Sequence, residues 1–198
     1  MALTFDDGPS QYTGQVLDIL QAHGAPATFF VRGVAAERHP ELLARMATEG
    51  HGIGNHGYRT RGPRGLARLY AAAEADEVAR TQQVVETLTG QRPRFFRAPG
   101  GGLGRRLWRL VEAEGLEVVY GALPFPDPEE DAAAQLKTAR GNLSPGAILI
   151  LHDGGDRRPG STRPQALVEM LPHLLAALEA DGFRVADLES LLYDERCG

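Results

Sequence analysis

The side chains best suited to chemistry in this sequence are carboxylates, imidazoles and one arginine, and they recur in four short contexts. Asp6 and Asp7 stand together before Gly8-Pro9, His56 follows Gly54-Asn55, Arg97 follows Phe95-Phe96, and His152-Asp153 follows the apolar run Ile148-Leu149-Ile150-Leu151. Carboxylates and imidazoles take up and release protons and bind cations, so such a set points to acid–base or metal-assisted chemistry. Cysteine chemistry is excluded: Cys197 is the only cysteine, so neither an intrachain disulfide nor a cysteine metal cluster can form. Taken singly, paired aspartates before Gly-Pro read as a turn, a lone histidine as structural, and a strand-end arginine as an ordinary ion pair. Their joint placement carries the argument, and that placement depends on the elements around them.

Those elements alternate. Residues 1–5 read as a first strand, residues 13–23 as a helix with Val16, Leu17, Ile19 and Leu20 on its apolar side, and residues 27–31 as a second strand. A helix beginning at Pro40 and closed by Gly50 leads to a short strand at 51–54. Residues 66–88 are expected to be helical, 94–97 a strand, 107–114 a helix and 118–120 a strand. The segment 129–140 reads as a helix with carboxylates in its first turn, opposing the positive end of the helix dipole. Residues 147–151 form the clearest strand, apolar throughout as in a strand buried on both faces. A long helix over 165–181, a strand at 183–186 and a short terminal helix complete the pattern. This alternation favours a parallel (β/α) barrel or an open doubly wound sheet. In both, function lies at the C-terminal ends of the strands, which is where all four contexts fall.

At these positions the sequence resembles the polysaccharide deacetylases, the homology group of chitooligosaccharide and peptidoglycan deacetylases. Thr4-Phe5-Asp6-Asp7-Gly8-Pro9 looks like the first signature, Gly54-Asn55-His56 the second, Arg97-Ala98-Pro99-Gly100-Gly101 the third, and Leu149-Ile150-Leu151-His152-Asp153 the last. The likeness runs in order from residue 1 to about 190. It implies an α/β fold, an irregular (β/α)7 barrel of the TIM-barrel variant type, as one catalytic domain over residues 1–198. It also implies hydrolysis of an N-acetyl or O-acetyl group on a glycan or small acetamide by metal-activated water. By the same resemblance Asp6 is the general base, Asp7 and His56 hold a divalent ion, zinc or cobalt, and His152 is the general acid. Arg97 holds Asp6 ionised and oriented, as a neighbouring guanidinium does for a carboxylate. Pro99, Gly100 and Leu151 line the substrate site, Leu151 against the acetyl methyl.

Three departures accompany the match. The second signature ordinarily carries another histidine four positions on, and Thr60 stands there; a neutral hydroxyl is a poor zinc ligand. His39 and His51 are the nearest replacements, but His51 begins its strand and so lies at the wrong end of the barrel. Gly100 replaces an aromatic residue that forms a wall of the sugar site, although its N–H could still stabilise an oxyanion. The segment 120–127 does not reproduce the acidic residue and tryptophan that orient the catalytic histidine; Asp127 stands nearest, and Trp108 reads as helix packing. Three readings follow: a deacetylase with a weakened metal site, a metal-independent amidase on the same fold, and a non-catalytic glycan-binding descendant. Retention of Asp7 and His56 beside the base, acid and arginine favours the first.

Composition narrows the partners. With 198 residues, 42% hydrophobic and 24% charged, the chain suits one globular domain with a core of its own. A net charge of −5 and a pI near 5.7 argue against a nucleic-acid surface. No apolar run reaches the roughly 18 residues of a membrane span, and the start lacks the pattern of a signal peptide. The expected location is therefore cytoplasmic as written, or extracytoplasmic if an export segment has been trimmed. Arg157, Arg158 and Arg163 border the expected site and read as a solvated loop or a preference for anionic substrates. Oligomeric state has no signal in the sequence.

Overall fold

Side-chain alternation along the first strand sorts the molecule into its two working halves. In β1 (Ala2–Asp6), Leu3 and Phe5 point to one face of the sheet and Thr4 and Asp6 to the other. Leu3 and Phe5 enter the main apolar core with Val16, Leu17 and Leu20, while Thr4 and Asp6 are buried among polar partners. The computed structural model describes residues 1–59, 73–122, 131–154 and 163–193.

Within these residues β1 joins β2 (Thr28–Val31), β3 (Gly52–Asn55), β4 (Phe95–Phe96), β5 (Glu117–Val118) and β6 (Ile148–His152) in one parallel sheet. The strand order is β5-β4-β3-β2-β1-β6. The helices are α1 (Thr13–Ala22), α2 (Gly33–Arg38), α3 (Pro40–Thr48), α4 (Ala73–Thr89), α5 (Arg105–Ala113), α6 (Ala132–Gly141), α7 (Arg163–Ala180) and α8 (Leu188–Tyr193). Among the described residues no helix is long and apolar enough to cross a membrane. Beyond β5 the chain turns toward β6, and the Ala122 N–H donates to the Ile148 carbonyl at 2.9 Å. This bond spans the two ends of the curled sheet and gives the irregular barrel that the resemblance implied, rather than an open sheet.

Several local expectations change. The strand expected at 183–186 is reduced to a single bridge between Ala186 and Ala2. The reason is that β1 lies between β2 and β6, and β2 pairs with it from Thr4 onward, so only the short stretch ahead of Thr4 is open to another partner. Strand β6 is not buried on both faces: Leu149 and Leu151 enter the main core, whereas Ile148, Ile150 and His152 on the opposite face are partly exposed. Leu151 therefore packs beneath the helices and cannot line an acetyl pocket beside His152. Helix α6 has no carboxylate in its first turn; Asp131 precedes it and caps it, accepting from the Ala134 N–H at 2.9 Å. In α5 the buried stripe is Leu107 and Val111, and Trp108, one step around the helix, is 49% exposed rather than packed. The first part of the helix expected at 66–88 lies outside the described residues.

Candidate active site

Parallel register brings the first and last signatures together. Asp6 pairs with His152 across the β1–β6 ladder, so a carboxylate and an imidazole leave neighbouring strands at the same level. Asp6 is only 4% exposed, and Arg97 meets it from β4. Arg97 Nη1 donates to Asp6 Oδ1 at 2.8 Å and to Thr4 Oγ1 at 2.6 Å, while Nε donates to the Val119 carbonyl at 3.3 Å. Its guanidinium also lies over the Phe30 ring, 4.1 Å from the centroid. A planar group fixed along its edge and on its face leaves Asp6 little freedom.

Asp7 follows with φ at +74°, in the left-handed region that a non-glycine residue enters at some cost. The loop is held in place by close packing. A Cβ on Gly154 would overlap the Asp7 backbone, and one on Gly8 would overlap the Asp153 carboxylate. Asp153 is fully buried, accepting from Thr13 Oγ1 at 2.6 Å. Burial, together with repulsion from Asp7 and Asp6, pushes its carboxyl up to about 7.

His56 is set by both neighbouring strands. Its N–H donates to the Val31 carbonyl at 2.9 Å, and its Nδ1–H donates to the Arg97 carbonyl at 2.8 Å. Asn55 fixes the turn beneath it, accepting from the Gly57 N–H at 2.8 Å and donating to Val78 O and Gln82 Oε1 at 3.0 Å each. Nε2 of His56 is thereby turned toward Asp7 Oδ1, 3.6 Å away. Burial holds the His56 imidazole below its ordinary pKa despite the attraction of Asp6 and Asp7, so the ring is neutral near pH 7.

Arg32 belongs to the site although no signature in the sequence marks it. It stands one residue past β2, where its N–H donates to the Gly8 carbonyl at 2.9 Å. From there Nε donates to Asp7 Oδ1 at 2.5 Å, and Nη2 pairs with the same oxygen. Burial pushes the Asp7 carboxyl up, but Arg32, with His56 and His152, outweighs it and holds Asp7 below the usual carboxylate range. The signal was present: a cation immediately after an apolar strand belongs to the same sheet end as Asp7.

These contacts test the expected metal. Asp7 and His56 do come together, but Thr60 and Asp127 lie outside the described residues, as do Arg157 and Arg158. His51 is remote, its ring edge-on to Phe29 and accepting from the Ala27 N–H at 3.2 Å, and His39 pairs with Glu41 beyond α2. Among the described residues no group of three metal-binding side chains forms. The oxygen facing His56 is also the one Arg32 holds. Arg32 is 8% exposed, with Asp7 its only carboxylate partner among the described residues. An ion taking Asp7 would leave that buried guanidinium unpaired beside a second positive charge, and an unpaired buried charge costs about 3–5 kcal/mol. With Arg32 in place, the donors among the described residues do not fit a resident zinc ion. Of the expected substrate residues, Pro99 is partly exposed beside Gly57, and Gly100 is exposed with φ at +72° and open space around its Cα.

The described residues thus form a curled parallel α/β barrel with a carboxylate, an imidazole and an arginine gathered at its strand ends, the face where barrel enzymes place their sites. The polysaccharide deacetylase family model matches residues 1–119, and the chain belongs to that family. It is 35% identical over 197 residues to a chitooligosaccharide deacetylase of Bradyrhizobium sp., covering 96% of this chain and 89% of the relative. It is 31% identical over 193 residues to a peptidoglycan-N-acetylglucosamine deacetylase of Bacillus cereus, covering 96% and 67%. Among solved structures, the Bc1960 peptidoglycan N-acetylglucosamine deacetylase in complex with a hydroxamate, 4-naphthalen-1-yl-N-oxidanyl-benzamide, superposes with a TM-score of 0.84. That match has 30% identity and covers 96% of this chain and 86% of the other. Metal dependence is general in this family.

Proposed function

We propose that this chain removes the acetyl group from an N-acetylated amino sugar of a glycan. The observation that carries the reading is the pairing of Asp6 with His152 on adjacent strands, with Arg97 fixing the carboxylate. Asp6 accepts a proton from a water molecule as its oxygen adds to the acetyl carbonyl carbon. The tetrahedral species then loses its carbon–nitrogen bond, His152 delivers a proton to the departing nitrogen, and acetate and a free amine leave. Arg97 does not touch the reacting atoms; it positions Asp6. The names of the relatives support amide rather than ester cleavage, and chitooligosaccharide and peptidoglycan are the two substrate classes to compare.

The experiment is acetate release from N-acetylchitooligosaccharides and from peptidoglycan fragments. Wild type should release acetate from at least one, and Asp6→Asn and His152→Gln should each lower kcat by about 10²–10⁴-fold. Binding without release by wild type would overturn the enzymatic reading in favour of a glycan-binding descendant. The lone pairs of Asp7 and His56, turned toward each other, favour a second reading: a zinc or cobalt ion with water completing its shell. Under it Arg32 has to leave Asp7, and chelation has to stop acetate release.

A further inference from the structure

We propose that the guanidinium of Arg32 is the resident cation of this site, holding the place beside Asp7 and His56 that a divalent ion would take, so that hydrolysis here needs no metal. The inference rests on the deacetylase reading for its substrate but not for its central measurement, which is metal binding.

Geometry carries the argument. His56 gives its Nδ1–H to the Arg97 carbonyl, so Nε2 presents a lone pair to Asp7 Oδ1 across 3.6 Å. Two acceptors facing one another in a buried site repel unless a positive charge stands with them. Arg32 supplies it, donating to that same oxygen through Nε and pairing through Nη2. The placement is built into the fold: parallel pairing of β2 with β1 sets Arg32 against Gly8, and its own N–H is bonded there. One donor, Arg32 Nη1, is buried and has no hydrogen-bond partner. An unpartnered donor on a buried guanidinium adds positive charge that Asp7 alone does not use up, which keeps the cation's place beside Asp7 and His56 filled. Unlike an ion, a guanidinium is covalently part of the chain and is not removed by a chelator. The step needs no other reagent: water adds to the acetyl carbon, its proton goes to Asp6, and the carbon–nitrogen bond breaks as His152 protonates the amine. Proton transfer from Asp6 to His152 through solvent then resets the pair.

The test is a titration of the purified chain with cobalt(II), read by its visible absorption, alongside zinc calorimetry and acetate release with and without EDTA. Wild type is expected to develop no cobalt band at tenfold excess metal and to keep its acetate release within twofold under EDTA. Arg32→Met should uncover Asp7 and His56, raise cobalt and zinc affinity at least tenfold, and lower metal-free acetate release at least 100-fold. Arg32→Lys, which keeps the charge but not the fork, should retain an intermediate rate and bind no cobalt. Should Arg32→Met fail to fold, Arg32→Lys and wild type carry the same decision. A stoichiometric cobalt band in wild type that Asp7→Asn abolishes, or inactivation by EDTA, would overturn the proposal. If wild type releases no acetate under any condition, the deacetylase reading fails, while the cobalt titration still decides whether Arg32 holds the cation's place.

Discussion

At the scale of single residues, Arg97 ties the fold to the proposed site through the same contacts. Its guanidinium joins β4 to Thr4 and Asp6 on β1 and to the chain beyond β5, all within the barrel. Arg97→Met leaves the Asp6 carboxylate buried without its charge partner, a change that ordinarily costs about 3–5 kcal/mol. Urea unfolding should show that loss, and Arg97→Lys should recover part of it, since an ammonium cannot span the same three partners in one plane. Equal stability in Arg97→Met and wild type would mean that Asp6 is solvated in solution. Arg32 teaches a different lesson about reading sequences. Asp6, Asp7, His56 and His152 were legible because each follows an apolar run and belongs to a recognisable signature. Arg32 follows such a run too, but its meaning appears only once β2 is placed beside β1, because the partner it meets is 25 positions earlier.

At the scale of elements, the site depends on the loops after β1 and β6 fitting into one another. Gly154 lies so close to the Asp7 backbone, and Gly8 to the Asp153 carboxylate, that neither position has room for a methyl group. At Gly154 the obstacle is main chain, which yields less readily than a flexible side-chain end. Gly154→Ala should therefore cost about 1–3 kcal/mol, the usual range for overpacking. It should also lower acetate release by displacing Asp7, to be read by thermal unfolding and kinetics together; an unchanged melting curve with full activity would show that the loops separate easily. The misreadings at this scale share a cause. An unbroken apolar run such as 147–151 hides the alternation of faces, so Leu151 reads as a site residue although it lies on the core side of the sheet. A strand-like segment such as 183–186 becomes a ladder only where a neighbouring edge is open, and composition does not record that.

At the scale of the whole molecule, the balance of buried charge makes stability depend on pH. Asp153 keeps its proton in the fold up to about pH 7, whereas the unfolded chain releases it near 3.8. Its contribution is fully present below pH 4 and is lost as pH rises toward 7, because over that range the folded state binds more protons. Asp153→Asn, which cannot ionise, should flatten the fall in melting temperature between pH 4 and 7 relative to wild type. Identical slopes for the two proteins would assign that dependence to other groups. The general architecture was readable from the strand–helix alternation, but the closure of the barrel was not. It rests on the approach of Ala122 to Ile148, two residues whose types announce nothing.

The register of β1 against β6 also sets a length. Adjacent parallel strands run about 4.8 Å apart, and Asp6 and His152 occupy one rung of that ladder. With Asp6 as the proposed acceptor of a proton and His152 as the proposed donor, the spacing of their backbone positions is set by the sheet's own repeat rather than by loop packing. A scissile bond with its carbon toward Asp6 and its nitrogen toward His152 must lie crosswise to the strands. The barrel in this way acts as a gauge, and under the proposed reaction it fixes the direction from which an acetamido arm enters.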